Sequence, residues 1–76
     1  MEQKKYDEAE KELKEAIRLD PDDAAAHYNL GSLHDDQGRY EKAEKMYKEA
    51  IRLNPDAAKS HNNLGIIYGK QKKYAE

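Results

Sequence analysis

Residues 24–57 read AAAHYNLGSLHDDQGRYEKAEKMYKEAIRLNPDA, and parts of this stretch recur on both sides of it at one fixed interval. Tyr6, Tyr40 and Tyr74 stand 34 residues apart. The same shift carries Ala9 onto Ala43, Ala16-Ile17 onto Ala50-Ile51, and Leu19-Asp20-Pro21-Asp22 onto Leu53-Asn54-Pro55-Asp56. It also carries His27-Tyr28-Asn29-Leu30-Gly31 onto His61-Asn62-Asn63-Leu64-Gly65. A constant period in the range of roughly 20 to 50 residues marks a solenoid, in which each unit is one supersecondary element stacked on its neighbours.

The spacing inside the unit is helical. Tyr6, Ala9, Leu13, Ala16 and Ile17 are separated by three or four residues, or adjacent, and form one stripe of a helix over residues 6–19. Acid-before-base pairs four residues apart, Asp7 with Lys11 and Glu10 with Lys14, support it. Asp20-Pro21-Asp22 ends that helix, because proline forces the residue before it away from helical angles. Asp22 and Asp23 then suit the positive start of the next helix. That helix spans about residues 24–37, with His27, Leu30, Gly31 and His34 inward, and Gly38 stops it. Residues 40–53 repeat the first helix, with Ala43, Met46, Tyr47, Ala50 and Ile51 inward. A fourth helix, about residues 58–72, carries His61, Leu64, Gly65 and Tyr68 on its stripe. With the helix at residue 24 called type A and that at residue 40 type B, the order is B, A, B, A. Connections this short make successive helices antiparallel. The expected fold is all-α, an α-solenoid of antiparallel helix pairs within one segment, residues 1–76: a partial repeat, one complete repeat at 24–57, and a following partial repeat.

Composition sets the limits. In 76 residues only ten are Leu or Ile, with no Val or Phe, so ten Ala and six Tyr must supply much of the packing. Such a composition would suit a disordered chain, but a net charge of -2 is too balanced for that. The absence of cysteine excludes disulfides and thiolate metal sites. No apolar run approaches a membrane span, no signal-peptide pattern opens the chain, and the pI of about 5.9 offers no general field for nucleic acid. Neither membrane nor nucleic acid is therefore expected as a partner, and the cytoplasm is the default compartment.

The in-phase residues resemble the tetratricopeptide repeat, a 34-residue helix-turn-helix with the pattern W-x2-L-G-x2-Y, A-x3-F and P. This sequence reads His27-x2-Leu30-Gly31-x2-His34, then Ala43-x3-Tyr47, Ala50 and Pro55. The flanking copies supply Ala9-x3-Leu13, Ala16 and Pro21 before it, and His61-x2-Leu64-Gly65-x2-Tyr68 after it. His27 and His61 replace a larger aromatic, His34 stands at the usual Tyr, and Lys72 takes the place of the turn glycine Gly38. The resemblance implies a scaffold that binds a protein or peptide in a concave groove lined by the A helices.

Helical geometry locates that groove independently. Opposite the His27 stripe point Ala25, Asn29, Ser32 and Asp36; in the fourth helix the matching set is Lys59, Asn63, Ile66 and Lys70. Leu33 and Ile67 fall between the faces and are expected to meet a neighbouring helix. An asparagine amide offers a donor and an acceptor together, so Asn29 and Asn63 suit peptide bonds of any sequence. Helices ~8–10 Å apart match about three residues of an extended strand. This looks like the asparagine ladder of tetratricopeptide superhelices such as the arm of the enzyme that adds N-acetylglucosamine to proteins. Lys59 and Lys70 would add attraction for acidic peptides. A complete carboxylate clamp of Lys, Asn and Arg, as in chaperone-tail-binding repeats, is not expected, because Asn63 stands where the Arg belongs.

No catalytic role is expected. His27, His34 and His61 occupy core positions without the spacing of a helical metal pair, and Ser32 and Ser60 lack any nucleophile pattern. No metal or cofactor is implied. The chain begins with a B helix and finishes with an A helix, so an apolar face should stay uncovered at each end. Tyr6, Ala9 and Leu13 on one, and Leu64 and Tyr68 on the other, are the self-association candidates. The alternative to peptide binding is thus a homo-oligomer, joined head to tail or by a reciprocal swap, unless the segment is an excerpt of a longer array.

Overall fold

A computed structural model describes the backbone of residues 3–75 and the side chains of residues 3–72. Four helices follow in order, α1 (Gln3–Leu19), α2 (Ala24–Asp36), α3 (Tyr40–Leu53) and α4 (Ala58–Ala75), and no strand occurs among the described residues. The fold is all-α. Each helix packs on the next, α1 on α2, α2 on α3 and α3 on α4, in a slab measuring 39 × 33 × 14 Å.

The turns follow from local chemistry. At the start of α2 the Asp23 carboxylate accepts a hydrogen bond from the Ala25 N–H at 3.0 Å, satisfying one of the donors a helix start leaves open. At its end Gly38 takes φ +76°, and the N–H groups of Gly38 and Arg39 return to Asp35 O and His34 O, both at 2.9 Å. Lys72 holds the position equivalent to Gly38, where a side chain makes positive φ costly. The helix does not turn there, and α4 continues to Ala75. The side chain of Tyr74, third of the in-phase tyrosines, lies outside the described residues.

Tyr47 is the centre of the core. It is 0% exposed and clusters with Ala43 and Ile67, flanked by the partly buried Tyr28, Tyr40 and Leu64. The Tyr28 and Tyr47 rings lie 5.7 Å apart and tilted, a favourable aromatic arrangement. Gly31 makes room for this ring: a Cβ added there would come within 2.9 Å of two Tyr47 ring carbons and 3.2 Å of Met46 Cβ. The rest of the inward stripe of α2, His27, Leu30 and His34, is buried as well, and so is Leu33 beside it. α1 has no fully buried residue.

In α4 the expected stripe needs correction. His61, Gly65 and Tyr68 are exposed and Leu64 is half-buried, while Ser60 and Ile67 are the buried pair. α4 presses the Ser60–Ile67 side onto α3; Gly65 meets no neighbouring side chain, and over the Tyr68 ring the Lys48 ammonium of α3 lies at 5.9 Å. Both repeat histidines staple a turn to its following helix: Nε2 of His27 lies 2.9 Å from Pro21 O, and Nε2 of His61 lies 3.0 Å from Pro55 O. A carbonyl only accepts, so each ring donates through Nε2.

Two predictions follow from this packing. In dilute solution Gly31→Ala should lower stability by about 1–2 kcal/mol, because crowding of Tyr47 outweighs the gain in helix propensity. A Cβ at Gly65 would meet nothing within 4 Å, so Gly65→Ala should raise stability by up to about 1 kcal/mol; thermal melts of both variants check the pair. The second concerns His34, 4% exposed, with Nδ1 buried and unpartnered. Burial holds its pKa below the ordinary histidine value; Lys42, Arg39 and Lys14 act the same way, and Glu10 opposes them. The unfolded chain therefore takes up this proton first. The contribution of neutral His34 is intact above pH ~6.5 and declines as the pH falls below it. Urea titrations between about pH 7 and 5 should show stability falling, with a shallower slope in His34→Gln.

Candidate functional site

The faces of α2 and α4 turned away from the Gly31 stripe form one surface, because the two A helices lie side by side. Two cross-links demonstrate this. Asn63 Nδ2 donates to the Tyr28 hydroxyl at 3.0 Å, and Lys70 Nζ pairs with Asp35 Oδ1 at 3.0 Å. Both join residues 35 apart in sequence, which is one repeat plus one position.

On this surface Asn29 and Asp36 on α2 are exposed, and Ser32 is half-buried between them. On α4, Lys59 is exposed, Ile66 is 49% exposed, and Asn63 and Lys70 are half-buried. The predicted residues thus share one side of the molecule, with differing freedom. Asn63 has committed one donor to Tyr28, while its carbonyl oxygen keeps acceptor capacity. Lys70 is engaged twice, by Asp35 and by the Tyr40 ring 5.4 Å below its ammonium. The hydrogen bond to Asp35 raises its pKa, so it stays charged. Of the two lysines expected to attract acidic peptides, Lys59 alone makes no ion pair among the described residues.

Beneath the surface lies a polar floor that the repeat pattern did not disclose. The Tyr47 hydroxyl is buried and makes no well-formed hydrogen bond among the described residues, although Ser32, Asn63, Asp35 and Tyr28 surround it. Burial raises its pKa and the Asp35 carboxylate adds to the rise, while the neighbouring Asn63 and Ser32 side chains oppose it. Tyr28 borders this group and is the residue the sequence reading left without a role. The signal was present in the departure from the repeat, since position 28 carries Tyr where its counterpart is Asn62.

Towards the starts of α2 and α4 the surface deepens into a cleft of about 280 Å³. Ala24, Ala25 and Tyr28 form one wall, and Ala57, Ala58 and Lys59 the other. Alanines at the facing positions keep this end open, with the aliphatic stem of Lys59 available for apolar contact. Elsewhere the charged faces are internally paired: Lys14 with Glu10 at 2.8 Å, Lys48 with Glu44 at 2.8 Å and Arg18 with Glu15 at 2.5 Å.

Among the described residues no group of three or more histidine or acidic side chains gathers to hold a metal, and no helix is long and apolar enough to cross a membrane. The sequence matches the family model for the tetratricopeptide repeat over residues 1–62. That is most of the chain, which belongs to this family. Comparison with individually curated proteins returns no match. Repeats of this family serve as protein–protein interaction scaffolds, and typically as non-catalytic ones.

The floor itself is testable. Tyr28→Phe removes a made hydrogen bond and should cost about 1 kcal/mol, whereas Tyr47→Phe removes a hydroxyl without a well-formed hydrogen bond and should be neutral or stabilising. Urea unfolding of the two variants under identical conditions measures the difference.

Proposed function

We propose that this chain is an interaction scaffold that takes an extended peptide segment across the α2–α4 surface, with Asn29 and Asn63 gripping its backbone. The observation that carries the reading is the in-phase pair of asparagines on neighbouring A helices, on a side that no other helix among the described residues covers. Asn29 is exposed and keeps both halves of its amide for a ligand. The bond that the Asn63 amide donates to the Tyr28 hydroxyl fixes its plane, so its carbonyl oxygen is oriented to accept from a peptide N–H. Orientation before binding reduces the ordering cost of association.

Other residues tune the choice of peptide. Ile66 offers apolar contact beside Asn63, and Ser32 a hydroxyl beside Asn29. An acidic ligand residue is favoured near Lys59, whose charge is uncompensated, and Lys70 contributes only if it leaves Asp35. Asp36 disfavours acidic residues at the other end of α2.

Binding of a panel of unrelated fluorescent peptides tests the proposal. Replacing both Asn29 and Asn63 by Ala should weaken binders by roughly fivefold per asparagine, irrespective of peptide sequence, with helix content unchanged. Losses confined to one peptide sequence, or none at all, would contradict backbone recognition.

A further inference from the structure

The side of α2 turned away from Asn29 carries a second cleft, of about 200 Å³, where α1, α2 and α3 come together. It lies within this three-helix stack and draws nothing from α4. Leu30 and His34 of α2, both buried, lie at its base. Glu10 and Lys14 of α1 and Lys42 and Lys45 of α3 line it above them, so three ammonium groups face one carboxylate. Glu10 is already shared, pairing with Lys14 at 2.8 Å and with Arg39 at 3.5 Å. Lys42 and Lys45 stand one helical turn apart and make no ion pair among the described residues. The internal repeat does not demand this charge, since the counterpart of Lys42 one repeat earlier is Glu8. A cleft lined by one sign of charge over a low-dielectric wall focuses the field within it.

We infer that this cleft binds a phosphate monoester, free or carried on a phosphorylated side chain, between Lys42, Lys45 and Lys14 with His34 beneath it. His34 supplies an observation independent of the lysines. Its ring is 4% exposed, and its buried Nδ1 finds no hydrogen-bond partner in the protein. A polar ring left unsatisfied at the base of a cationic cleft is complemented by an anion with several acceptor oxygens. The charge count favours phosphate over carboxylate. Glu10 already answers one of the ammonium groups, and the remaining two match a group that carries about -1.5 to -2 charges at neutral pH. The size points the same way, because about 200 Å³ admits one phosphoryl group and not a helix ~10 Å across. Lys14, Lys42 and Lys45 are exposed, so the attraction is sensitive to salt. The inference does not rest on peptide recognition by Asn29 and Asn63, which lie on the other side of α2.

Chemical-shift titrations with inorganic phosphate, and separately with a short phosphoserine peptide, test the inference at about pH 7.5, where phosphate is mostly dianionic. Shifts should saturate at the His34 ring and at the amides of residues 14, 42 and 45, while the His27 and His61 rings stay unmoved. Sodium chloride at matched ionic strength should not reproduce them. Lys42→Gln combined with Lys45→Gln, at two exposed positions, should keep the helix content and weaken binding roughly tenfold. Glu10→Gln, which frees Lys14, should tighten binding roughly twofold. The Asn29→Ala, Asn63→Ala double variant should bind phosphate like the original chain, which separates this cleft from the peptide surface. Saturation by both probes supports a general phosphate monoester site, and saturation by the phosphopeptide alone a site for a phosphorylated side chain. No shift beyond that of chloride, equal movement of all three histidines, or unaltered binding in the double lysine variant would each overturn it. A response confined to vesicles containing phosphatidic acid would do so as well.

Discussion

Everything in this structure depends on one ring entering one gap. Tyr47 reaches from α3 into the notch left by the missing side chain of Gly31, and Ile67 of α4 closes over the cluster from the other side. Three helices meet at that point. With so few large aliphatic residues, no other place among the described residues withdraws comparable apolar volume from water. Burial of an aromatic of this size contributes on the order of 3 kcal/mol, a large share of the stability available to a small domain. The remaining core is thin, made of alanines, two leucines, Ser60 and the two histidines His27 and His34.

That arrangement also determines what the other faces can do. α2 spends its Gly31 side on α3, so Asn29, Ser32 and Asp36 are left outward; α4 spends its Ser60 and Ile67 side on α3, so Asn63 and Ile66 emerge beside them. The Tyr47 side chain spans both regions, its ring in the core and its hydroxyl under Ser32 and Asn63. Core and proposed binding surface therefore share an atom group. On that proposal, a ligand that draws on Asn63 would perturb the neighbourhood of the residue on which packing rests.

Much of this was legible in the sequence because repetition is a local signal. The 34-residue shift located all four helices, and the spacing of His27, Leu30, Gly31 and His34 identified the buried side of α2. It also put Leu33 and Ile67 against a neighbour. Other features depend on distances between helices, which no one-dimensional pattern records. Asn63 bonding to Tyr28, and Lys70 committing to Asp35, require the lateral offset of α2 and α4. The exposure of His61, Gly65 and Tyr68 depends on which helix lies where, although their phase matches that of buried residues in α2. The family resemblance led to the correct fold, and what remained open was how far each candidate side chain is already occupied.

The most direct test is native-state hydrogen exchange, which ranks helices by the cooperative unit that protects them. If packing centres on Tyr47 in the Gly31 notch, the slowest amides should lie at residues 30–34 of α2 and 43–51 of α3. Those of α1 and of the α4 stretch beyond residue 69 should exchange by smaller openings. Uniform protection across all four helices, or the slowest exchange in α1, would contradict a fold organised around that contact.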